Sequence, residues 1–215
     1  MIMSTDAWSL FLLACLMLNI APGPDLVFVF SRTMSHGKKI GFVASLGVGS
    51  GALVHVFAAA FGVSVILATS ATAFVMVKYI GAAYLVSLGL KAIFSREGTI
   101  LRNGTDTKQV NPWTVFRQGV LIDVLNPKVA LFFLAFLPQF IAHDASQSSA
   151  QIFIQTVILG FIVIAVGFVV ETALILTAAP LGAYLRSNPK IALWLDRSFG
   201  GMLVFLGAKL ASSDQ

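Results

Sequence analysis

Long apolar blocks, cut by short polar or helix-breaking stretches, dominate the chain. From Ala7 to Ser31 only Asp25 is charged, and from Gly41 to Val77 there is no Asp, Glu, Lys or Arg. A helix needs about 20 such residues to cross a hydrocarbon layer. Cutting at the polar and breaker-rich points predicts six membrane spans, approximately 7–31, 41–67, 71–94, 115–138, 152–179 and 191–211. The cut at 68–72, "ATSAT", is the least marked. Composition agrees with an all-α membrane protein: 58% of residues are hydrophobic and 11% charged, against roughly a quarter charged in soluble domains. The N-terminal "MIMSTDAW" has no Lys or Arg, so the first span is expected to be retained, since a cleaved signal would begin with a positive region.

Two spans carry their own breaks. In "NIAPGPD", Asn19 to Asp25, Pro22 and Pro24 have no N–H to donate and disturb the bonding of the Leu18 and Ile20 carbonyls, while Gly23 permits a close approach. Pro24 suits the first position of a new helix and places Asp25 in its first turn, where the dipole favours a carboxylate. In the fourth span Asn126 is a good N-cap and Pro127 a good first residue, which puts Lys128 at the unfavourable dipole end. Broken backbone at that depth is tolerated only where protein buries it or a watery cavity faces it.

The two halves are written in one pattern. "KYIGAAYLVSLGLK" (Lys78 to Lys91) and "RSFGGMLVFLGAK" (Arg197 to Lys209) share the order basic, Gly, Leu-Val, Leu-Gly, Lys, and "GPD" at 23–25 aligns with "NPK" at 126–128. Three spans per half is an odd number, so the halves are expected to be inverted: residues 1–94 as one three-helix repeat, 95–114 as a cytoplasmic loop and 115–215 as the second repeat, within a single membrane domain. Inverted repeats meeting at interrupted helices are a recurrent transporter plan.

Charge modifies this picture by orienting it. The net charge is +5, and the basic residues cluster in the odd-numbered loops: Arg32, Lys38 and Lys39; Lys91, Arg96, Arg102, Lys108 and Arg117; Arg186 and Lys190. The even-numbered loops contain no Lys or Arg, and Asp6, Asp144 and Asp214 mark the other face. Basic loops stay cytoplasmic, so both termini are predicted outside and the base count answers to the membrane, not to nucleic acid. Cys15 is the sole cysteine, which excludes an internal disulfide.

Charged groups at a bilayer centre cost about 2.5–3.5 kcal/mol each on insertion scales. The repeat pairs Asp25 with Lys128. Two readings are open: a permanent ion pair joining the halves, or receptors for the ammonium and carboxylate of a zwitterion, with Pro22, Gly23, Pro24, Asn126 and Pro127 supplying freed backbone and half-helix ends. His55 and Glu171 are candidates for carrying a proton, as is Asp25, although His55 can equally be a packing residue and Glu171 stands toward the cytoplasmic end of its span. Asp123, one turn before the second break, is expected to order the cap or neutralise Arg117, and Lys78 to snorkel outward. "GVGSG", Gly47 to Gly51, has the small-xxx-small spacing of close helix packing, compatible with a homodimer but better suited to packing inside one chain. No metal ligand set or cofactor cradle is expected: the three histidines are scattered, and "GVGSG" lacks the Lys-Ser/Thr ending of a phosphate loop.

"NIAPGPD", "GAAYLVSLGLKA", "NPKVALFFLAFLPQF" and "GGMLVFLGAKL", in that order over nearly the whole chain, resemble the lysine and homoserine exporter (LysE/RhtB) family of bacterial amino-acid efflux proteins. The resemblance implies an inner-membrane secondary transporter, not an enzyme, exporting amino acids or close derivatives, with proton antiport as its power source. Pro22 to Asp25 and Asn126 to Lys128 fill the matching motif positions. A passive channel or a membrane-embedded enzyme is the rival reading.

Overall fold

Within lipid the backbone must satisfy its own polar groups, and the described apolar blocks do so as helices. The computed structural model describes residues 5–69, 71–94, 110–141 and 148–212. Most of the loop from Ser95 to Trp113, together with His143, Asp144 and Asp214, lies outside the described residues, as does the side chain of Lys78.

The helices are α1 (Thr5–Ile20), α2 (Pro24–His36), α3 (Lys38–Thr69), α4 (Ala71–Ile93), α5 (Pro112–Val124), α6 (Pro127–Leu131), α7 (Ser149–Ser187) and α8 (Pro189–Ser212). The interruptions expected at the prolines are present: α1 and α2 meet at 53°, and α5 meets the segment Pro127–Phe140 at 47°. Among the described residues Lys38–Gly62 and Ser149–Leu185 are each long and apolar enough to cross a membrane, and counting each bent pair as one span makes four.

Local chemistry sets most boundaries. Gly37, at φ 83°, ends α2 in the left-handed region and donates its N–H to Thr33 O, a conformation that strongly favours glycine. α7 opens with a capping box between Ser148 and Gln151. At 39 residues α7 runs eight residues past the predicted end of the fifth span, because nothing but Pro180 interrupts it before Asn188. α6 passes into a π turn, Phe132–Phe136, in which Leu137 N donates to Phe132 O five residues back, and then into the 3₁₀ turn Leu137–Phe140.

The packed interior has two layers that divide at the breaks. One joins α1 to the chain after the second break: Phe11 and Phe140 lie 5.1 Å apart ring to ring, continued by Phe136 and Phe132 at 5.2 Å each. The other joins α2, α5 and α7 to the start of α3 through Val29, Ala44, Val48, Val115 and Ile175. Around both, Val54, Phe57, Phe61, Ile154, Ile158 and Val169 are exposed, the apolar belt expected of a surface that faces lipid.

Close helix contacts rest on small residues. A side chain at Gly47 would meet the Phe116 carbonyl, and one at Gly119 would meet Ala44 O, so the glycine-rich stretch of α3 is used against α5 within this chain. On α4 and α8, Gly89 abuts Gly200 O and Val204, while Gly207 abuts Ala82 O and Val86. Backbone cannot retreat as a flexible side chain does. Gly119→Val and Gly200→Val should each lower stability by about 1–3 kcal/mol, read as an earlier thermal unfolding of the purified protein in detergent. Gly201→Ala, whose added carbon meets nothing within 4 Å, should leave the transition where it was.

Candidate functional site

The first break is built by the absence of donors. Ala21 N still closes the last bond of α1, to Met17 O at 2.9 Å, and Gly23 O accepts the first bond of α2, from Val27 N at 3.0 Å. Between them Pro22 and Pro24 donate nothing, and Gly23 is extended at φ −141° and ψ 174°. At the second break Asn126 Oδ1 accepts from Lys128 N at 3.1 Å, and Asn126 N reaches back to Asp123 O at 2.8 Å. Gly23 and Asn126, aligned in the repeat, are thus both N-caps, each followed by a proline.

Lys128 joins the two breaks. Its Nζ donates to Asp25 Oδ1 and Oδ2 at 3.2 and 3.1 Å, to Leu18 O at 3.1 Å and to Ala21 O at 3.2 Å. An ammonium has three protons, and these acceptors engage all of them. Both side chains are buried, at 4% and 9% exposure. Leu18 is a carbonyl expected from the sequence, whereas Ala21 takes the role expected of Ile20, because the chain turns immediately after it and brings that oxygen to the ammonium. A side chain at Gly23 would collide with the Asp25 carboxylate and with Lys128 Nζ, so a larger residue there would displace the bridge.

Beside the bridge lies a cavity of about 400 Å³, within the range of roughly 300–1,000 Å³ usual for small-molecule sites. Asp25, Asp123 and Glu171 line it from three helices, together with Ser45. Ser45 Oγ donates to Glu171 Oε2 at 2.5 Å. Glu171 belongs with the other acids because α7 extends well past it on both sides, which places it near the middle of that helix and not at its end. Apolar side chains, among them Leu53, Phe133, Phe161 and Ile164, make up most of the remaining wall.

His55 is buried, donates from Nε2 to the Asp123 carbonyl at 3.0 Å and stacks on Phe133 at 6.2 Å and 19°. That hydrogen bond fixes which ring nitrogen carries the proton, since a carbonyl only accepts. Pro22, Gly23, Pro24, Asp25, Asn126, Pro127 and Lys128 are therefore gathered at one crossing, Glu171 borders its cavity, and His55 is tied to the end of α5. Sequence reasoning undervalued Asp123: its carbonyl orders the cap as expected, but its side chain, 2% exposed, lines the cavity instead of meeting Arg117 at the surface. An acid in an apolar span was the signal for it. Asn19 was also missed; its amide nitrogen donates to Cys15 O at 2.8 Å and to Val163 O at 3.4 Å, tying α1 to α7.

Broken helices crossing at a buried charge pair, inside an all-helical apolar protein, define a membrane protein organised around an internal polar site. Residues 16–214 match the family described as LysE type translocator, and the chain belongs to that family. A Vibrio cholerae protein described as an uncharacterized membrane protein is 32% identical over 211 residues, covering 98% of this chain and 99% of its own. The leucine efflux proteins of Salmonella choleraesuis and Salmonella typhimurium are each 30% identical over 203 residues, covering 94% of this chain and 93% of theirs. No solved structure matches the chain.

Removing one partner of a buried pair strands the other charge, at a cost of about 3–5 kcal/mol. Lys128→Met should therefore unfold at a markedly lower temperature than the parent, and Asp25→Leu combined with Lys128→Met should recover most of that loss. Thermal unfolding in detergent checks both, and the opposite order would show that the bridge does not carry this share of the stability.

Proposed function

We propose that this chain is a secondary transporter that exports amino acids or close derivatives across the bacterial inner membrane in exchange for protons. The observation that carries the reading is the Lys128 bridge: two interrupted helices are joined by a buried ion pair, directly beside a cavity lined by further carboxylates. Family membership and the Salmonella leucine efflux relatives support amino-acid export, and their name makes leucine the first substrate to try.

The proposed architecture is six spans in two inverted three-helix repeats within one membrane domain. α1 with α2, α3 and α4 form the first repeat, α5 with the segment after it, α7 and α8 the second, and residues 95–114 the cytoplasmic loop between them. Contacts of the third and sixth helices support it. With Leu85-Val86 and Leu88-Gly89 aligned on Leu203-Val204 and Leu206-Gly207, Ala82 falls opposite Gly200 in the alignment. The contacts of Gly89 with Gly200 and Val204 are then the same pair as those of Gly207 with Ala82 and Val86. Reciprocity of this kind is what a two-fold relation between halves produces. Asp25 and Lys128, equivalent positions in direct contact, would sit on that axis.

In this mechanism Pro22 to Asp25 and Asn126 to Lys128 form the substrate-responsive crossing. The carboxylate of the amino acid competes with Asp25 for Lys128 when the halves rock, and the released carbonyls receive polar groups of the substrate in turn. Asp25, His55 and Glu171 are the proposed proton carriers. Glu171 has the strongest geometric claim, since it borders the cavity and holds a hydroxyl partner, whereas the Nε2 proton of His55 is already engaged by a carbonyl.

Export of a labelled amino-acid panel from loaded cells, with and without a protonophore, tests the reading. At least one amino acid should leave faster than from control cells and should stop doing so when the gradient collapses; a panel that never moves overturns it. Glu171→Gln should reduce gradient-driven export roughly ten- to a hundredfold, the share of a hydrogen-bonded charge, while exchange of substrate for substrate persists. A reporter fused at the C-terminus should be active outside the cell, and a cytoplasmic signal would remove the inverted six-span arrangement.

A further inference from the structure

The acids around the cavity are unequal in what they already hold. Both oxygens of Asp25 face Lys128, and Oε2 of Glu171 is held by Ser45. Asp123 differs. It lines the cavity at 2% exposure, yet its Oδ2 is buried with no hydrogen-bond partner. Leaving a buried carboxylate oxygen unmatched is costly, and this residue has little freedom to turn away. Its carbonyl accepts from both His55 and Asn126, and Gly51 of α3 presses against its Cβ.

Lys128 has no proton left to offer, so the polar end of this cavity presents acceptors in excess of donors. Among the described residues no group of His, Cys, Asp and Glu is arranged to hold a metal ion, and an organic cation is a fitting complement. A free acceptor of negative charge is the complement of an ammonium. Leu53, Phe133, Phe161 and Ile164 supply the apolar wall.

We infer that Asp123 binds the α-ammonium group of the exported amino acid and that the apolar wall selects an uncharged aliphatic side chain. This rests on the exporter reading above and adds the substrate class and the docking residue. Asp25 and Lys128 then hold the crossing closed in this conformation, while Asp123 makes the first contact.

Equilibrium binding of labelled L-leucine to the full-length protein in detergent tests it, with 3-methylbutylamine, 4-methylpentanoate and L-lysine as competitors. Leucine should bind most tightly, the amine should compete better than the acid, and lysine should compete at least tenfold less well than unlabelled leucine. Asp123→Asn should weaken leucine binding roughly ten- to a hundredfold, with Asp123→Glu recovering part of it. A measurement on the unaltered protein guards against misfolded variants. Leucine and the amine should slow the modification of Asp123 by dicyclohexylcarbodiimide, followed by peptide mass. Unchanged binding in a folded Asp123→Asn protein, an equal rate of modification with and without leucine, or an acid that competes better than the amine overturns the docking residue. Absence of leucine binding to the parent, or lysine competing equally, overturns the aliphatic class, and the exporter reading survives either result if another amino acid in the panel is exported. Failure of every amino acid to be exported removes both.

Discussion

A lysine ammonium buried where two helices break must find three acceptors without water, and the organisation of this protein follows from that demand. An intact helix has no carbonyl to spare, because each is already bonded four residues on. Pro22 removes the partner of Leu18, the turn after Ala21 opens a second oxygen, and Asp25 supplies the countercharge. Gly23 leaves room for all four oxygens to converge on one nitrogen. Lys128 in turn sits at the wrong end of a helix dipole, and the nearby carboxylate, itself at the favourable end of α2, offsets that cost.

Satisfying Lys128 so fully leaves the adjoining cavity short of positive charge. Asp123 and Glu171 face it from different helices, with Ser45 donating to one and no partner on Oδ2 of the other. A buried carboxylate oxygen without a partner is costly in such a site. In the proposed transport cycle, competition between a proton and the substrate for these carboxylates would couple the two fluxes. The energetic demand of the bridge and the chemistry of the cavity are in this way two sides of one charge balance.

Packing holds that balance in place without a large hydrophobic driving force, since lipid is as apolar as the helices themselves. The glycines of α3 let α5 approach close enough to hold Asp123 and to bring its carbonyl to His55. The π turn after α6 interrupts the regular ladder beside the site and carries the phenylalanines that fill the layer between α1 and the second break. Such turns frequently accompany functional sites in helical proteins.

Residues near one another in the chain determined much of this. Prolines without an N–H, an asparagine cap and uninterrupted apolar blocks dictate where helices form and break, and the alignment of "GPD" with "NPK" already pairs Asp25 with Lys128. What required the tertiary structure was the choice of Ala21 over Ile20 as an acceptor, the meeting of Ser45 with Glu171, and the orientation of Asp123 into the cavity and away from Arg117. α3 and α7 carry apolar residues on every side with only a few polar ones among them, so no stripe along them announces which face turns inward. Rotation and vertical shift of such helices are set by glycine contacts on partners distant in sequence, and those contacts decide which polar side chains share the interior.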